Sequence, residues 1–457
     1  MIRKNQRYSD GRVALVTSSF LFSLLSMLAT ATCFAEVPEY EETSSKYQTT
    51  FNWQRHPAFN GGSPTNPVNT LSSKSESMYT FSTTAHWGMR VWKDGEVYFN
   101  PELVAGVPFS NNLVGLGSFT NGEITRAAGT DLKLYRQRLF LRQTWNMGGG
   151  TEKVPADFNQ LAGAVDKNRV VLTAGNFSAL DVFDDNTYAK DPRTQFMNWG
   201  NWTYSSFDYA ADSRGYGWGF AVEWYLDDWV FRAGRMTGPK EPNGLPIDYQ
   251  IAKHYGDQIE IERSHTISNH PGKARILLWR DRANLASFSD ALNYLNTNNP
   301  ADKQAILQVR NGDKTKYGLG VNIEQEINSN VGAFMRVMRT DGRTETYAFT
   351  EVDHSFSGGF LIKGGTWSRP EDSIGFSWLQ NQLSNDRRRY LEGGGISFFI
   401  GDGSLSYKPE NIMECFYSLS LYKKTWLTAD YQRISNPAYN ASRGPINVYA
   451  FRLHAEF

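Results

Sequence analysis

The last twelve residues, Ile446-Asn447-Val448-Tyr449-Ala450-Phe451-Arg452-Leu453-His454-Ala455-Glu456-Phe457, decide the fold. Tyr449, Phe451, Leu453 and Phe457 share one face of an extended chain, and Arg452, His454 and Glu456 alternate with them. Successive side chains of a strand point to opposite faces, so one side of this segment suits lipid and the other suits water. An edge strand of a soluble sandwich is the competing reading. It would need a second dry face, and here that face is charged.

Working back from there, segments of about ten residues with the same alternation recur, the length a tilted strand needs to cross a bilayer. They are 79–92, 96–105, 134–145, 169–177, 201–209, 216–226, 229–236, 258–266, 273–282, 316–327, 331–339, 346–364, 373–383, 411–422, 426–434 and 446–457. About sixteen strands predict an all-β, antiparallel transmembrane β-barrel with both chain ends on the periplasmic side. Residues 36–78, rich in Ser, Thr, Asn, Gly and Pro without a sustained period, are expected to form an irregular N-terminal arm. No repeat and no linker divides the chain after residue 78, so 79–457 is one barrel domain. Tight turns at Asp227-Asp228, His270-Pro271-Gly272, Asn328-Ser329-Asn330 and Lys423-Lys424 fall where short periplasmic turns belong. The links 106–133 and 178–200 break that rule, being long yet periplasmic in this count. Either two strands are misplaced or one of these segments folds inward as a constriction.

Composition and the other end of the chain agree with a barrel. A mean hydropathy of −0.50 excludes a helical membrane protein, as does the lack after residue 35 of any apolar run of the ~18 to 20 residues that a spanning helix needs. The 14% aromatic content and 40 glycines suit short strands, tight turns and interfacial rings. Residues 1–35 have the layout of a secretory signal peptide: Arg3, Lys4, Arg7 and Arg12 precede an apolar stretch at 13–28 and small residues at 29–32, with cleavage after Ala35. Acylation at Cys33 is disfavoured because Thr30-Ala31-Thr32 lacks the leucine of lipoprotein signals. Cleavage removes four Lys/Arg and one Asp from a chain of 47 basic and 47 acidic residues. The mature charge of about −3 implies no nucleic-acid partner. Cys415 then stands alone, so no internal disulfide can form.

The charged residues indicate what the lumen carries. In 134–145, Arg136, Arg138 and Arg142 fall at even positions, and an Arg facing lipid near the midplane costs about 2 to 4 kcal/mol, which turns the row inward. Arg90, Glu96 and Glu102 join it by the same parity, as do Glu260, Glu262, Glu324 and Asp430 on later strands. A lumen of mixed sign favours neutral polyols over ions of either charge. Trp92, Tyr98, Trp199 and Trp202 are candidate stacking surfaces for a sugar ring, although most tryptophans of such barrels belong to interfacial girdles. The segment 181–199 is dense in carboxylates, amides and rings. Read as a calcium loop from Asp184 it lacks the glycine at place six and the glutamate at place twelve. Folded inward, it would aim Asp191, Arg193 and Gln195 at the pore. The seven histidines show no metal-ligand spacing and no nucleophile motif occurs, so no catalytic residue, metal or cofactor is assigned.

Several stretches in order, 53–57 (W-Q-R-H-P), 94–103 (D-G-E-V-Y-F-N-P-E-L), Asn121-Gly122-Glu123, 138–144 (R-L-F-L-R-Q-T), 191–199 and 436–457, together resemble the OprB-type carbohydrate-selective porin family of Gram-negative outer membranes. The resemblance implies a sixteen-stranded monomer or homotrimer in the cell outer membrane. It also implies passive diffusion of glucose and related small sugars through a constriction of inward-folded segments rich in Arg, Glu and Trp. Carried over by position, its residues are Glu102, Arg138, Arg142, Asp191 and Arg193. Arg90, Arg136 and Trp199 complete the candidate sugar-binding set. The terminal strand ending in phenylalanine resembles the signal read by the barrel-assembly machinery, and outer-membrane lipid is the partner of the apolar face. A general diffusion porin without sugar preference, or an outer-membrane enzyme or adhesin on the same scaffold, are the alternatives; single-channel current with added sugar separates the first two.

Overall fold

The wall of the barrel begins inside the stretch expected to be an irregular arm. The computed structural model describes residues 39–65, 67–126, 129–297 and 304–457, so the expected signal over 1–35 lies outside the described residues. Strand β1, Thr43–His56, pairs antiparallel with β2, Glu76–Trp92. The wall continues through β3 (Gly95–Val107) and β4 (Gly129–Asn146). A separate hairpin of β5 (Thr151–Val154) and β6 (Gly163–Asp166) follows. Then come β7 (Arg169–Phe177), β8 (Gly217–Leu226), β9 (Trp229–Met236), β10 (Tyr255–Ile267), β11 (His270–Asn284) and β12 (Asp313–Asn328). The series ends with β13 (Val331–Thr340), β14 (His354–Lys363), β15 (Ser373–Gln382), β16 (Glu410–Tyr422), β17 (Thr425–Ser435) and β18 (Ile446–Glu456). β18 pairs with both β17 and β1, which closes the barrel and leaves no edge.

Sixteen strands of the described residues form the wall, but they are not the sixteen expected. β1 replaces the expected strand at 201–209, where Trp199–Trp202 is a short helix and the residues after it are buried inside. The apolar-polar alternation of 201–209 comes from aromatic rings packing into the interior, not from a lipid face. This exchange moves the first-half links to the other side of the membrane. Segments 108–126 and 178–216 now sit at the same end as 237–254, 285–297, 304–312, 341–353, 383–409 and 436–445. The tight turns 93–94, 227–228, 268–269, 329–330 and 423–424 all lie at the opposite end, as the periplasmic rule requires. Ser268 and Asn269 have φ of 52° and 66°, the geometry of a two-residue hairpin turn.

Parity holds along most strands. On β18 Arg452 and His454 are buried inside, while Tyr449 and Phe451 are about half exposed outside. The outer face elsewhere carries Ile259, Ile276, Leu278, Leu319, Phe360 and Phe376, an apolar belt fit for lipid. β4 is the exception. Arg138 pairs with Asn100 but Arg136 pairs with Pro101, so Gln137 is an extra residue opposite β3. Pro101 has no N–H to complete the ladder, and a bulge is the usual remedy. Across it the inward set changes from odd to even: Tyr135 and Gln137 reach Glu102 inside, as does the even residue Arg138 its partner Asp181. Arg136 is therefore not part of the lumen row. It is exposed on the outer face, with its guanidinium 4.9 Å above the Trp218 ring.

The interior along β10 to β18 is packed with chain. Glu410 accepts the backbone N–H groups of Gly117 and Ser118 at 3.0 and 3.2 Å, and Glu414 those of Met197 and Asn198 at 2.5 and 3.2 Å. Glu260 accepts from Asp184 N and Glu324 from Thr187 N. Arg336 and Asn322 hold the Asp184 carboxylate at 2.9 and 2.6 Å, and Arg452 donates to the carbonyls of Pro192 and Gln195. Both segments proposed as alternative constrictions, 106–133 and 178–200, thus fold inward in part. A third comes from the periplasmic end: in 155–162 Leu161 N donates to the Tyr98 hydroxyl, and the Phe158 ring lies 4.4 Å from His86.

Because the bulge takes Arg136 out of the lumen, Arg136→Ala is expected to leave single-channel conductance and ion selectivity unchanged. Arg142→Ala should shift selectivity toward cations. Equal shifts from the two substitutions would mean that both line the pore.

Candidate functional site

Open space inside the barrel lies against one side, along β2, β3, β4, β7 and β8. Two cavities, of about 270 and 330 Å³, adjoin at Asp181 and Lys190. The upper one is bordered by Gln48, His86, Gln137, Arg138, Asp191, Arg193, Trp202, Tyr209 and Tyr216. The lower one, toward the periplasm, is bordered by Arg90, Arg142, Arg169, Lys190 and Arg232, and by Asp94, Glu96, Asp181, Asp185 and Glu223. Neither sign dominates its lining.

The charges are held in pairs. At the lower cavity Glu96 accepts from Arg90 at 2.7 Å and from the Tyr98 hydroxyl at 2.6 Å, with Arg142 at 4.0 Å. Arg142 lies over the Tyr98 ring and donates to the Asn159 carbonyl of the inward periplasmic segment. On the facing strands Arg232 bridges Glu223, Glu260 and Glu262 at 2.9 to 3.0 Å. Between the cavities Arg138 makes a two-pronged contact with Asp181, 2.7 Å on each prong, the strongest geometry available to such a pair. Asp181 is itself fixed by a capping box, because its carboxylate accepts Ser178 N while the Ser178 hydroxyl accepts Leu180 N. Lys190 is paired with Asp185 at 2.6 Å.

These contacts set the ionisation of the loop carboxyls. Burial would raise the Asp181 carboxyl, but the Arg138 guanidinium, the Ser178 amide and the charge of Lys190 hold it below the usual range. Lys190, against the effect of burial and with help from Arg275, holds Asp185 well below it. Both stay charged throughout the neutral range.

Of the candidate sugar-binding residues, the structure brings Arg90, Arg138, Arg142, Asp191 and Arg193 to the passage. Glu102 is fully buried behind it and committed to four partners: Thr84, Gln137, Arg193 and Tyr135. Arg193 also meets Glu123 at 3.1 Å, so Glu102, Arg193 and Glu123 stitch both inward segments to β3. Asp191 accepts Arg193 N and the Thr194 hydroxyl within its own turn. Trp199 is not at the passage. It is fully buried, stacked on Phe349 at 4.8 Å and edge-on to Trp202 at 4.5 Å, at the centre of the packed side. Of that pair Trp202 borders the upper cavity. Trp92 sits exposed at the periplasmic rim, bonded to Gln143, and Tyr98 is buried beneath Arg142. The sequence reading missed Glu223 and Arg232, each flanked by outward apolar residues, a pattern that parity could have found. Asn159 and Lys190 sit in irregular chain and carry no such signal.

Over residues 69–457 the chain matches the family model described as carbohydrate-selective porin, OprB family. No curated protein matches it in sequence. Its fold resembles the high-pH structure of Pseudomonas putida OprB, with a TM-score of 0.68 at 13% identity, covering 96% of this chain and 97% of that one. The low-pH structure of the same protein aligns with a TM-score of 0.49 at 11% identity, covering 93% and 100%. The outer membrane channel DcaP of Acinetobacter baumannii aligns at 0.48 and 10%, covering 91% and 97%.

The Arg138–Asp181 clamp generates a pH prediction. The native Asp181 value lies below that of an unfolded aspartate, about 3.9. The clamp's stabilisation is therefore full above about pH 4 and lost as pH falls through the lower native value. The conductance ratio of the unaltered protein to Asp181→Asn should be constant from pH 8 to pH 5, and the two should converge only in stronger acid. Convergence between pH 5 and pH 7 would contradict this assignment.

Proposed function

The chain belongs to the carbohydrate-selective porin family, and from that premise we propose that small neutral sugars, glucose-like monosaccharides and short oligosaccharides, diffuse passively along the β2 to β8 side of this barrel. The observation that carries the proposal is the pairing of charge in the lining. A wall of one sign would concentrate the opposite ion, whereas paired guanidinium and carboxylate groups offer donors and acceptors to hydroxyls while leaving little net potential. Glu96 with Arg90 and Arg142, and Asp181 with Arg138, are the pairs a sugar would meet in turn. Trp202 and Tyr216 at the upper cavity would brace the C–H face of the ring.

Energetics favour weak binding. Each exchanged hydrogen bond nets about 0.5 to 1.5 kcal/mol, so a few contacts give an affinity on the order of millimolar. That is firm enough to select and loose enough to release, as a conducting site requires. Nothing is chemically transformed. Glu102, Arg193 and Asp191 act in this scheme by positioning the inward segments. The passage lies within one barrel, so flow needs no second copy even if three barrels associate. The signal over 1–35 would export the chain, and β18 would present the assembly signal.

Added glucose or a disaccharide should interrupt single-channel ion current at about millimolar concentration. Arg142→Gln combined with Glu96→Gln should raise the half-blocking concentration about tenfold, the equivalent of one or two lost hydrogen bonds. Current that stays flat with every neutral sugar, or faster passage of gluconate than of glucose in vesicle swelling, would defeat the proposal.

A further inference from the structure

The outer wall has a chemical asymmetry that sugar passage does not use. On β9, β10 and β11 the outward residues Arg235, Asp257 and Arg280 stand directly opposite one another in register. Asp257 accepts from Arg235 at 2.6 Å and from Arg280 at 2.9 Å, and the Tyr255 ring supports Arg235 from 3.8 Å. One step toward the rim, Arg282 leans on Asp313 at 3.4 Å. The side chains of Arg280 and Arg282 remain 47% and 45% exposed. One step the other way the register brings together Ile259, Leu278 and Leu319, each about half exposed. The guanidinium row therefore borders an apolar row, which ends at the exposed Arg339 opposite Leu319.

This level is the outer one. The tight turns of these strands lie at the far end, where the outward arginine among the described residues of β9 to β12 is Arg263, laid over Trp229. At the outer level each guanidinium carries five N–H donors, and a carboxylate between two of them can accept only about four hydrogen bonds. Donors remain on the exposed side chains of Arg280 and Arg282. Arginine rather than lysine is the residue suited to bidentate phosphate contact.

We propose that the outer end of β9 to β12 is a binding site for a phosphorylated, multiply acylated glycolipid of the lipid A type, the lipid of the outer leaflet. Its phosphate lies against Arg280 and Arg282, with Arg235 beside them, and its acyl chains lie on Ile259, Leu278 and Leu319. Charge complementarity at the acyl boundary selects this occupant over a second barrel, which would bring an identical basic row against this one. The site is independent of the solute the channel passes.

Native mass spectrometry of the full-length barrel in a nonionic detergent tests it, with bisphosphorylated lipid A as probe. The phosphorylated lipid should bind on the order of tenfold or more tightly than the same lipid stripped of phosphate. Arg280→Gln combined with Arg282→Gln should abolish that difference, and Arg433→Gln on the far wall should preserve it. Equal binding of the two lipids to the unaltered protein overturns the proposal whatever the variants do. So do inorganic phosphate binding as tightly as the lipid, an equal loss with Arg433→Gln, and a wall occupied by a second barrel in place of lipid.

Discussion

The structure depends on carboxylates that project from the inner wall and accept backbone N–H groups of segments that are not strands. Glu410, Glu414, Glu260 and Glu324 each do this from a different position on the far side of the barrel. Inside, Asp208 repeats the device for Tyr347 and Ala348, as does Glu351 for Phe398. Irregular chain at membrane depth is tolerated only where its polar groups are satisfied within the protein. A hydrogen bond to a charged acceptor contributes about 1.5 to 3 kcal/mol, and an unmet buried N–H costs a similar amount. Buried charge by itself is a weak stabiliser. Here its effect is positional, because each carboxylate fixes where one loop turns.

The passage follows from that arrangement. Segments 108–126 and 178–216 are drawn to the β10 to β18 side, where Trp199, Phe349, Tyr209 and Phe207 form a buried apolar cluster. What remains open is the opposite wall, lined by residues that the loops leave in pairs. The interior is thus neither an empty polar tube nor a solid core. Two cavities lie between a packed half and a charged wall.

Much of this was legible in the sequence and some was not, for identifiable reasons. Strands with a frankly apolar outer face and a charged inner one, such as 258–266 and 446–457, show their period plainly. β1 does not, because Gln48, Thr50, Asn52 and Gln54 face inward while Thr43, Ser45 and Thr49 dilute the outer face. The false strand at 201–209 shows the opposite failure, since aromatic residues of a buried loop mimic alternation. The even count survived because these two errors cancel. Arg136 was misplaced by one bulge residue, Gln137, whose cause, Pro101, lies on the neighbouring strand and cannot be read within β4. Trp199 was misread because interfacial, solute-facing and core tryptophans look alike in one dimension. The inward periplasmic segment carried no period at all.

The central claim is that wall carboxylates hold the inward segments by their backbone amides. Hydrogen exchange of those amides in the detergent-solubilised barrel tests it most directly. Gly117, Ser118, Asp184, Thr187, Met197 and Asn198 should exchange as slowly as amides of the strands. Exchange at the rate of exposed loop amides would contradict the account, because the segments would then not be tied to the wall at all.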